Sequence, residues 1–221
     1  PQATAAVTLG YKPEQLRGLG GELLLTVRYQ LRERLGLLDA LHEVAADQLV
    51  LRGDDPAARF AAEAPAGALR VEGKSVSGEG FSVGFDPESG FIRSYCLRSV
   101  ELLAGPLRPN FYRAATDNDL GVRQTGKYPD SRMWATAEPQ LVGFVLTAGD
   151  SEAEAVADYT IPAVGARLRL TYTIFADGSV RVSEAMTADP ARKDVAELMR
   201  FGMAFETPEM FDAVEYYGRG P

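Results

Sequence analysis

A single cysteine and a single histidine among 221 residues remove whole reaction classes before any motif is sought. Cys96 has no partner for an internal disulfide, and with His42 as the only imidazole, Cys/His zinc sites and intramolecular Cys–His or Ser–His catalysis have almost nothing to draw on. The plain readings suit both residues: Cys96 lies in the alternating run Ile92 to Leu97 and is expected as a buried strand residue, and His42 carries no catalytic expectation. Long hydrophobic runs are lacking too. No window approaches about eighteen uninterrupted apolar residues, and Pro1 to Gly10 shows neither the basic flank nor the apolar core of a signal peptide. No membrane span or export signal is therefore expected in this stretch, and a cytoplasmic setting is the expectation. Cations are in deficit, 23 Lys and Arg against 31 Asp and Glu, for a net charge of −8 and a pI near 4.8. That balance argues against a footprint for nucleic-acid backbones, which need clustered Lys and Arg.

What is present is a globular composition, 46% hydrophobic and 9% aromatic, arranged as short runs rich in β-branched and aromatic residues between Gly, Pro, Asp and Asn. Phe81 to Phe85 alternates, turns at Asp86-Pro87-Glu88-Ser89-Gly90 and returns as Phe91 to Leu97, a hairpin with a five-residue loop. A second hairpin runs from Arg167 to Phe175, turns at Ala176-Asp177-Gly178 and returns from Ser179 to Met186. Further strands are predicted at Leu23 to Leu31, Asp47 to Leu51, Arg70 to Gly73, Leu141 to Thr147, Ala153 to Ile161, Leu198 to Phe205 and Ala213 to Tyr217. One segment conflicts with this: Leu35, Leu38, Leu41, Ala45 and Leu49 fall near helical spacing, so propensity alone favours a helix over Glu33 to Leu51. No alternation of strands with long helices occurs, which excludes an encoded (β/α)8 barrel. The fold class is all-β, and the Ala/Pro/Asp-rich stretch between Gly53 and Leu69 marks a boundary: residues 1–53, a linker over 54–68, and a second domain over 69–221.

The densest motif is Phe111-Tyr112-Arg113-Ala114-Ala115-Thr116-Asp117-Asn118-Asp119-Leu120-Gly121, followed by the single tryptophan, Trp134. It resembles the F-x-R-A-P-x-D-N-D-x-G signature of glycoside hydrolase family 2 β-galactosidases, departing at Ala115, where that family has proline. Gly80 to Leu107 and the closing Val214-Glu215-Tyr216-Tyr217-Gly218-Arg219-Gly220-Pro221 resemble flanking motifs of the same family. The resemblance implies a partial immunoglobulin-like β-sandwich, then the first part of a galactose-mutarotase-like β-supersandwich, with the chain truncated at both ends. It also implies a parent enzyme that hydrolyses terminal β-D-galactosyl groups with retention, through glutamates on a (β/α)8 domain outside this chain. Magnesium and sodium sites near those glutamates, and a homo-oligomeric assembly, are implied for the parent, with no cofactor and no catalytic residue in this stretch.

Asp117-Asn118-Asp119 invites metal or acid–base readings. An EF-hand loop starting at Asp117 places Gly121 and Val122 at positions five and six and Tyr128 at twelve, which fails. A retaining glycosidase pair needs carboxyls about 5 to 5.5 Å apart on opposite sides of the scissile bond, whereas residues two apart on a strand approach from one side. The structural reading is an Asx corner between strand and loop, its side chains bonded to local backbone N–H groups. The functional reading, implied by the resemblance, makes this corner the anchor of a loop, Gly121 to Asp130, at the mouth of the active site, with Asp117, Asn118, Asp119, Gly121, Val122, Arg123 and Trp134 as its site residues. Two rivals remain open. A carbohydrate-binding module needs exposed aromatics on one sheet face, for which Tyr95, Tyr112, Tyr128 and Trp134 are candidates, and Trp134 is otherwise a core residue. A structural interaction module needs none exposed. Arg219 and its neighbouring tyrosines suit turn and packing roles.

Overall fold

A computed structural model of the chain describes residues 4–10, 12–17, 19, 21–53 and 67–215. The Tyr216-to-Pro221 motif, with Arg219, and most of the predicted linker lie outside the described residues. The chain divides into two compact units, Pro1–Glu63 and Ala64–Pro221.

Among the described residues, the first unit contains one helical turn, α1 (Pro13–Leu16), and an antiparallel pair, β1 (Leu23–Gln30) and β2 (Glu43–Arg52), which runs from Leu23 opposite Arg52 to Gln30 opposite Glu43 with a register shift near each end. The helical spacing of Leu35, Leu38, Leu41, Ala45 and Leu49 is overridden. Leu35 and Leu38 exchange two backbone hydrogen bonds of 2.9 and 3.1 Å, and Gly36 and Leu41 sit at φ 61° and 68°, values no right-handed helix accommodates. The chain reverses there, and β2 pairs with β1 instead of coiling.

The second unit holds two antiparallel sheets. In the first, β3 (Arg70–Glu72), β4 (Ser75–Gly78), β5 (Phe81–Phe85) and β6 (Ile92–Leu97) form a meander extended by β8 (Gly105–Pro109) and β13 (Met203–Glu206), with β7 (Val100–Glu101) folded onto β6. In the second, β9 (Gln140–Ala148), β10 (Glu152–Ile161), β11 (Ala166–Phe175) and β12 (Val180–Ala188) lie side by side in chain order. Every other residue of β10, and of β11 as far as Tyr172, is buried, the period-2 signature of a sheet with one dry face, while β11 ends in four consecutive buried residues, Tyr172 to Phe175. Phe85 packs between Phe144 and Tyr172 at ring-centroid distances of 5.2 and 5.3 Å, and Phe91 stacks on Tyr159 at 5.4 Å. These contacts join the sheets into one core.

Both predicted hairpins form. Asp86 accepts hydrogen bonds from the Glu88 and Ser89 N–H groups (3.0 and 2.7 Å) and the Ser89 hydroxyl (3.0 Å), which shape the five-residue loop. Asp177 does the same for Ser179 in the second turn. Three strands have no counterpart among those predicted. β4 follows β3 after a short turn, β7 returns through Arg98 and Ser99 at φ 49° and 66° without the Asn-Gly that signals such a turn, and β8 carries two prolines and meets β6 only at Ile92 opposite Leu107. The strand expected over Leu198 to Phe205 shortens to β13, and residues 213–215 are irregular. Cys96 lies on β6 as expected but is half-buried, not buried, with Sγ 3.3 Å from the Glu101 carboxylate.

Two stability tests follow from this core. Gly90 closes the first hairpin at φ 71°, and a Cβ there would lie 3.0 to 3.3 Å from Leu141, the Tyr159 hydroxyl and Phe144. Gly90→Ala therefore combines left-handed strain with overpacking and should cost about 2 to 4 kcal/mol in urea unfolding; a change under about 0.5 kcal/mol would contradict this packing. Glu184 faces inward on β12, opposite Leu170, and burial raises its carboxyl from the ordinary carboxylate range to about 7. The folded chain then holds a proton that the unfolded chain releases, so this stability is complete below about pH 4.5 and is lost as pH rises through 7. Glu184→Gln should remove that loss, worth about 1 to 2 kcal/mol near pH 8 after allowance for partial access to water; parallel unfolding curves for both proteins across pH 5 to 8 would refute it.

Candidate functional site

The Asp117-Asn118-Asp119 triplet opens a helix, α2 (Asp117–Gln124), instead of standing at a strand-to-loop corner. The cause is a capping box. The Thr116 N–H and hydroxyl donate to Asp119 Oδ2 at 2.7 and 2.9 Å, and the Asp119 N–H returns to Thr116 Oγ1 at 3.5 Å. The first helical bond, Leu120 N–H to the Thr116 carbonyl, is 3.0 Å. Arg113 donates to the same carboxylate through its two terminal guanidinium nitrogens, to Oδ2 at 2.8 Å and to Oδ1 at 3.4 Å. The Arg113 hydrogen bond, with those from Thr116, holds the Asp119 carboxyl down at about 2. Asp119 is therefore a fully engaged anion with a structural task. Asp117 and Asn118 are exposed in the first turn, where negative charge suits the helix dipole.

Gly121, Val122 and Arg123 belong to α2, so the expected open loop from Gly121 to Asp130 is helical in its first four residues. Only residues 125–130 form the irregular connection, ending at Asp130, whose side chain caps a 3-10 turn (Ser131–Thr136) by accepting from the Arg132 N–H at 3.0 Å. That turn carries Trp134 into the core, 5% exposed and edge-on to Phe111 at 5.8 Å. Its indole N–H donates to the Ala196 carbonyl at 2.8 Å, while the Ala196 N–H donates to Met133 Sδ at 3.3 Å. The long connection between β12 and β13 is thus pinned at Ala196 to the turn that follows α2.

Between these pinned segments lies a cleft of about 600 Å³, lined by Arg113, Asp119, Tyr128, Pro129 and Ser131 on one side and by residues 195–199 on the other. Tyr128 stands at its rim, 65% exposed. Of the expected site residues the cleft takes Asp119 directly and Trp134 as its support. Sequence reasoning missed the segment 195–199, which has no motif, and it missed the helix, although T-x-x-D over Thr116 to Asp119 is a capping-box signal. The aromatic candidates do not share a face: Trp134 is buried, Tyr95 and Tyr112 are half-buried, and Tyr128 stands at the cleft rim. Tyr95 is committed by a hydrogen bond to the Gly178 carbonyl. Among the described residues, no group of three or more His, Cys, Asp or Glu is arranged to hold a metal ion, and no helix is long and apolar enough to cross a membrane.

The fold and the site together define an antiparallel β-sandwich with a cleft built from its connecting segments. The family described as "Beta galactosidase small chain" matches residues 77–221, and the chain belongs to that family. It is similar over its whole length, at 31% identity, to a β-galactosidase of Priestia megaterium, of which it covers 21%. It is similar over 94% of its length, at 28% identity, to a β-galactosidase of Halalkalibacterium halodurans, again covering 21%, and over 62%, at 28% identity, to one of Vibrio cholerae, covering 14%. The chain thus spans about a fifth of the length of the first two of these relatives.

The pinning of the cleft has a direct test. Trp134→Phe keeps the aromatic core but strands the Ala196 carbonyl, which should cost about 1 to 3 kcal/mol and speed amide exchange across residues 195–199. Unchanged exchange there would show that the indole hydrogen bond does not hold the wall. Thr116→Val should fray α2, seen as faster exchange over residues 119–124, at a cost of about 1 kcal/mol.

Proposed function

We propose that this chain is a non-catalytic part of a β-galactosidase that hydrolyses terminal β-D-galactosyl groups with retention, and that its cleft segment shapes the mouth of the active site. The observation that carries this is similarity, over all of the chain in one case and 94% of it in another, to β-galactosidases about five times as long. A catalytic (β/α)8 domain elsewhere in the polypeptide would supply the two glutamates, with magnesium and sodium held near them and not by this chain. The second unit is then the first part of a β-supersandwich, the first unit the closing strands of an immunoglobulin-like domain, and the assembled enzyme a cytoplasmic homo-oligomer.

Within that reading α2 has a defined physical task. A helix of eight residues with glycine at its fifth position is weakly held, because glycine costs about 1 kcal/mol relative to alanine. The Arg113–Asp119–Thr116 box fixes its start, and Trp134 fixes the chain beyond it. The part between is free to change conformation when a galactoside enters, while both ends stay in register with the core. A Cβ at Gly121 meets no atom within 4 Å, so Gly121→Ala acts through helix propensity and not by collision. It should shift the balance of conformations and change kcat and KM together by a few-fold in the longer enzyme.

The deciding experiment expresses the longer protein beside the 221-residue chain and measures turnover of a chromogenic β-galactoside. Activity is expected in the first and none above a mock purification in the second. Turnover by the chain alone, or an inactive longer protein that folds and binds no galactoside, would overturn the reading. A free-standing carbohydrate-binding module is the second reading, favoured only by exposed Tyr128 beside the cleft; galactoside binding by the isolated chain would support it.

A further inference from the structure

We propose that the outer edge of β12 is the docking site for one more β-strand of the same longer polypeptide, and that this strand brings a lysine or arginine side chain to Glu184. The inference rests on the reading that the chain is part of a longer protein. β12 has β11 as its single neighbour in the described sheet, and the nine residue pairs between them run unbroken from Ala166 opposite Ala188 to Ile174 opposite Val180. A regular nine-residue edge without a bulge or proline leaves a row of backbone N–H and C=O groups ready to pair.

The inner face of this strand is unfinished in a specific way. On β10 and β11 the inward side chains are buried, but on β12 Val180, Val182, Glu184 and Met186 are only half-covered. An inward charge can protect an edge when water solvates it. Glu184 serves only poorly in that way, because the residue is half-buried and its Oε1 is sealed from water, with no hydrogen-bond partner among the described residues. Diagonally across the ladder, the Tyr172 hydroxyl is equally sealed and unpartnered, on a residue with 0% exposure. Buried carboxyl and phenol groups left without partners are costly. One ammonium or guanidinium satisfies both: it donates to the carboxylate and to the phenol oxygen and balances the charge. A second copy of this chain does not fit. Antiparallel pairing of β12 with itself would offer only the side chains of Val180, Val182, Glu184 and Met186 on the inner face, which include no donor and add a second carboxylate.

The test is amide exchange in the longer protein, read on peptides covering Val180–Ala188. The β12 amides that donate to no β11 carbonyl should exchange at least about 100-fold slower than their intrinsic rates. Glu184→Lys should speed that exchange at least tenfold by setting two cations together, and Glu184→Gln, which keeps an acceptor, less. Exchange at intrinsic rates would show an open edge and overturn the proposal. Protection that disappears on dilution to the monomer would assign the edge to a second copy, and protection indifferent to Glu184→Lys would remove the cation; either overturns it. β-Galactoside turnover, measured on the same preparation, reports separately on the proposed function, so failure of one is distinguishable from failure of the other.

Discussion

The structure depends on a size match across one strand pair. Ala153, Ala155 and Ala157 on β10 stand opposite Ile174, Tyr172 and Leu170 on β11, and further along Tyr159 stands opposite Leu168 and Ile161 opposite Ala166. Small residues beside large ones leave room above the alanines for rings, and Phe85 of the other sheet and Phe144 of the neighbouring β9 occupy that layer. A larger residue at Ala155 or Ala157 would compete with those rings for space and push the sheets apart. Dense apolar packing also explains the one weakness of the layer: hydroxyls carried inward by Tyr159 and Tyr172 find no partner there.

The cleft is an extension of that core. Phe111 and Trp134 are buried members of it, and they hold the chain on both sides of α2. Phe201, stacked on Phe111 at 6.2 Å, ties the far connection to the same point. The two connecting segments are thus each tied to the core at particular points, through Trp134 and Met133 to Ala196 and through Phe111 to Phe201. Of the groups that face the opening, Arg113 is engaged with Asp119 and Asp119 with Thr116.

How much of this was legible in the sequence follows from which interactions are local. The hairpins around Asp86–Gly90 and Asp177–Gly178 could be read because turn chemistry and alternation lie within a few residues. The stretch from Glu33 to Leu51 misled because leucine spacing is also local, whereas the decisive facts, the positive φ of Gly36 and Leu41 and pairing with β1, are not contained in spacing. Pairing with distant strands likewise makes β8 a strand despite Pro106 and Pro109. In the site, Asp117 to Asp119 stood out by composition. Their meaning turned on Thr116, one residue earlier, and on Arg113. The segment 195–199 was invisible because it is defined only by what Trp134 and Met133 reach across more than sixty residues. The motif resemblance carried the family assignment, which composition and periodicity did not supply.

In the proposed β-galactosidase, α2 and the facing wall respond to substrate. Deuterium uptake over residues 117–136 and 195–199 of the longer protein, with and without a slowly hydrolysed galactoside at saturating concentration, tests it most directly. A ligand-dependent change confined to those two segments is expected, with β10 and β11 unchanged. Uptake that is identical in both states, in a preparation that binds and hydrolyses the galactoside, would contradict it.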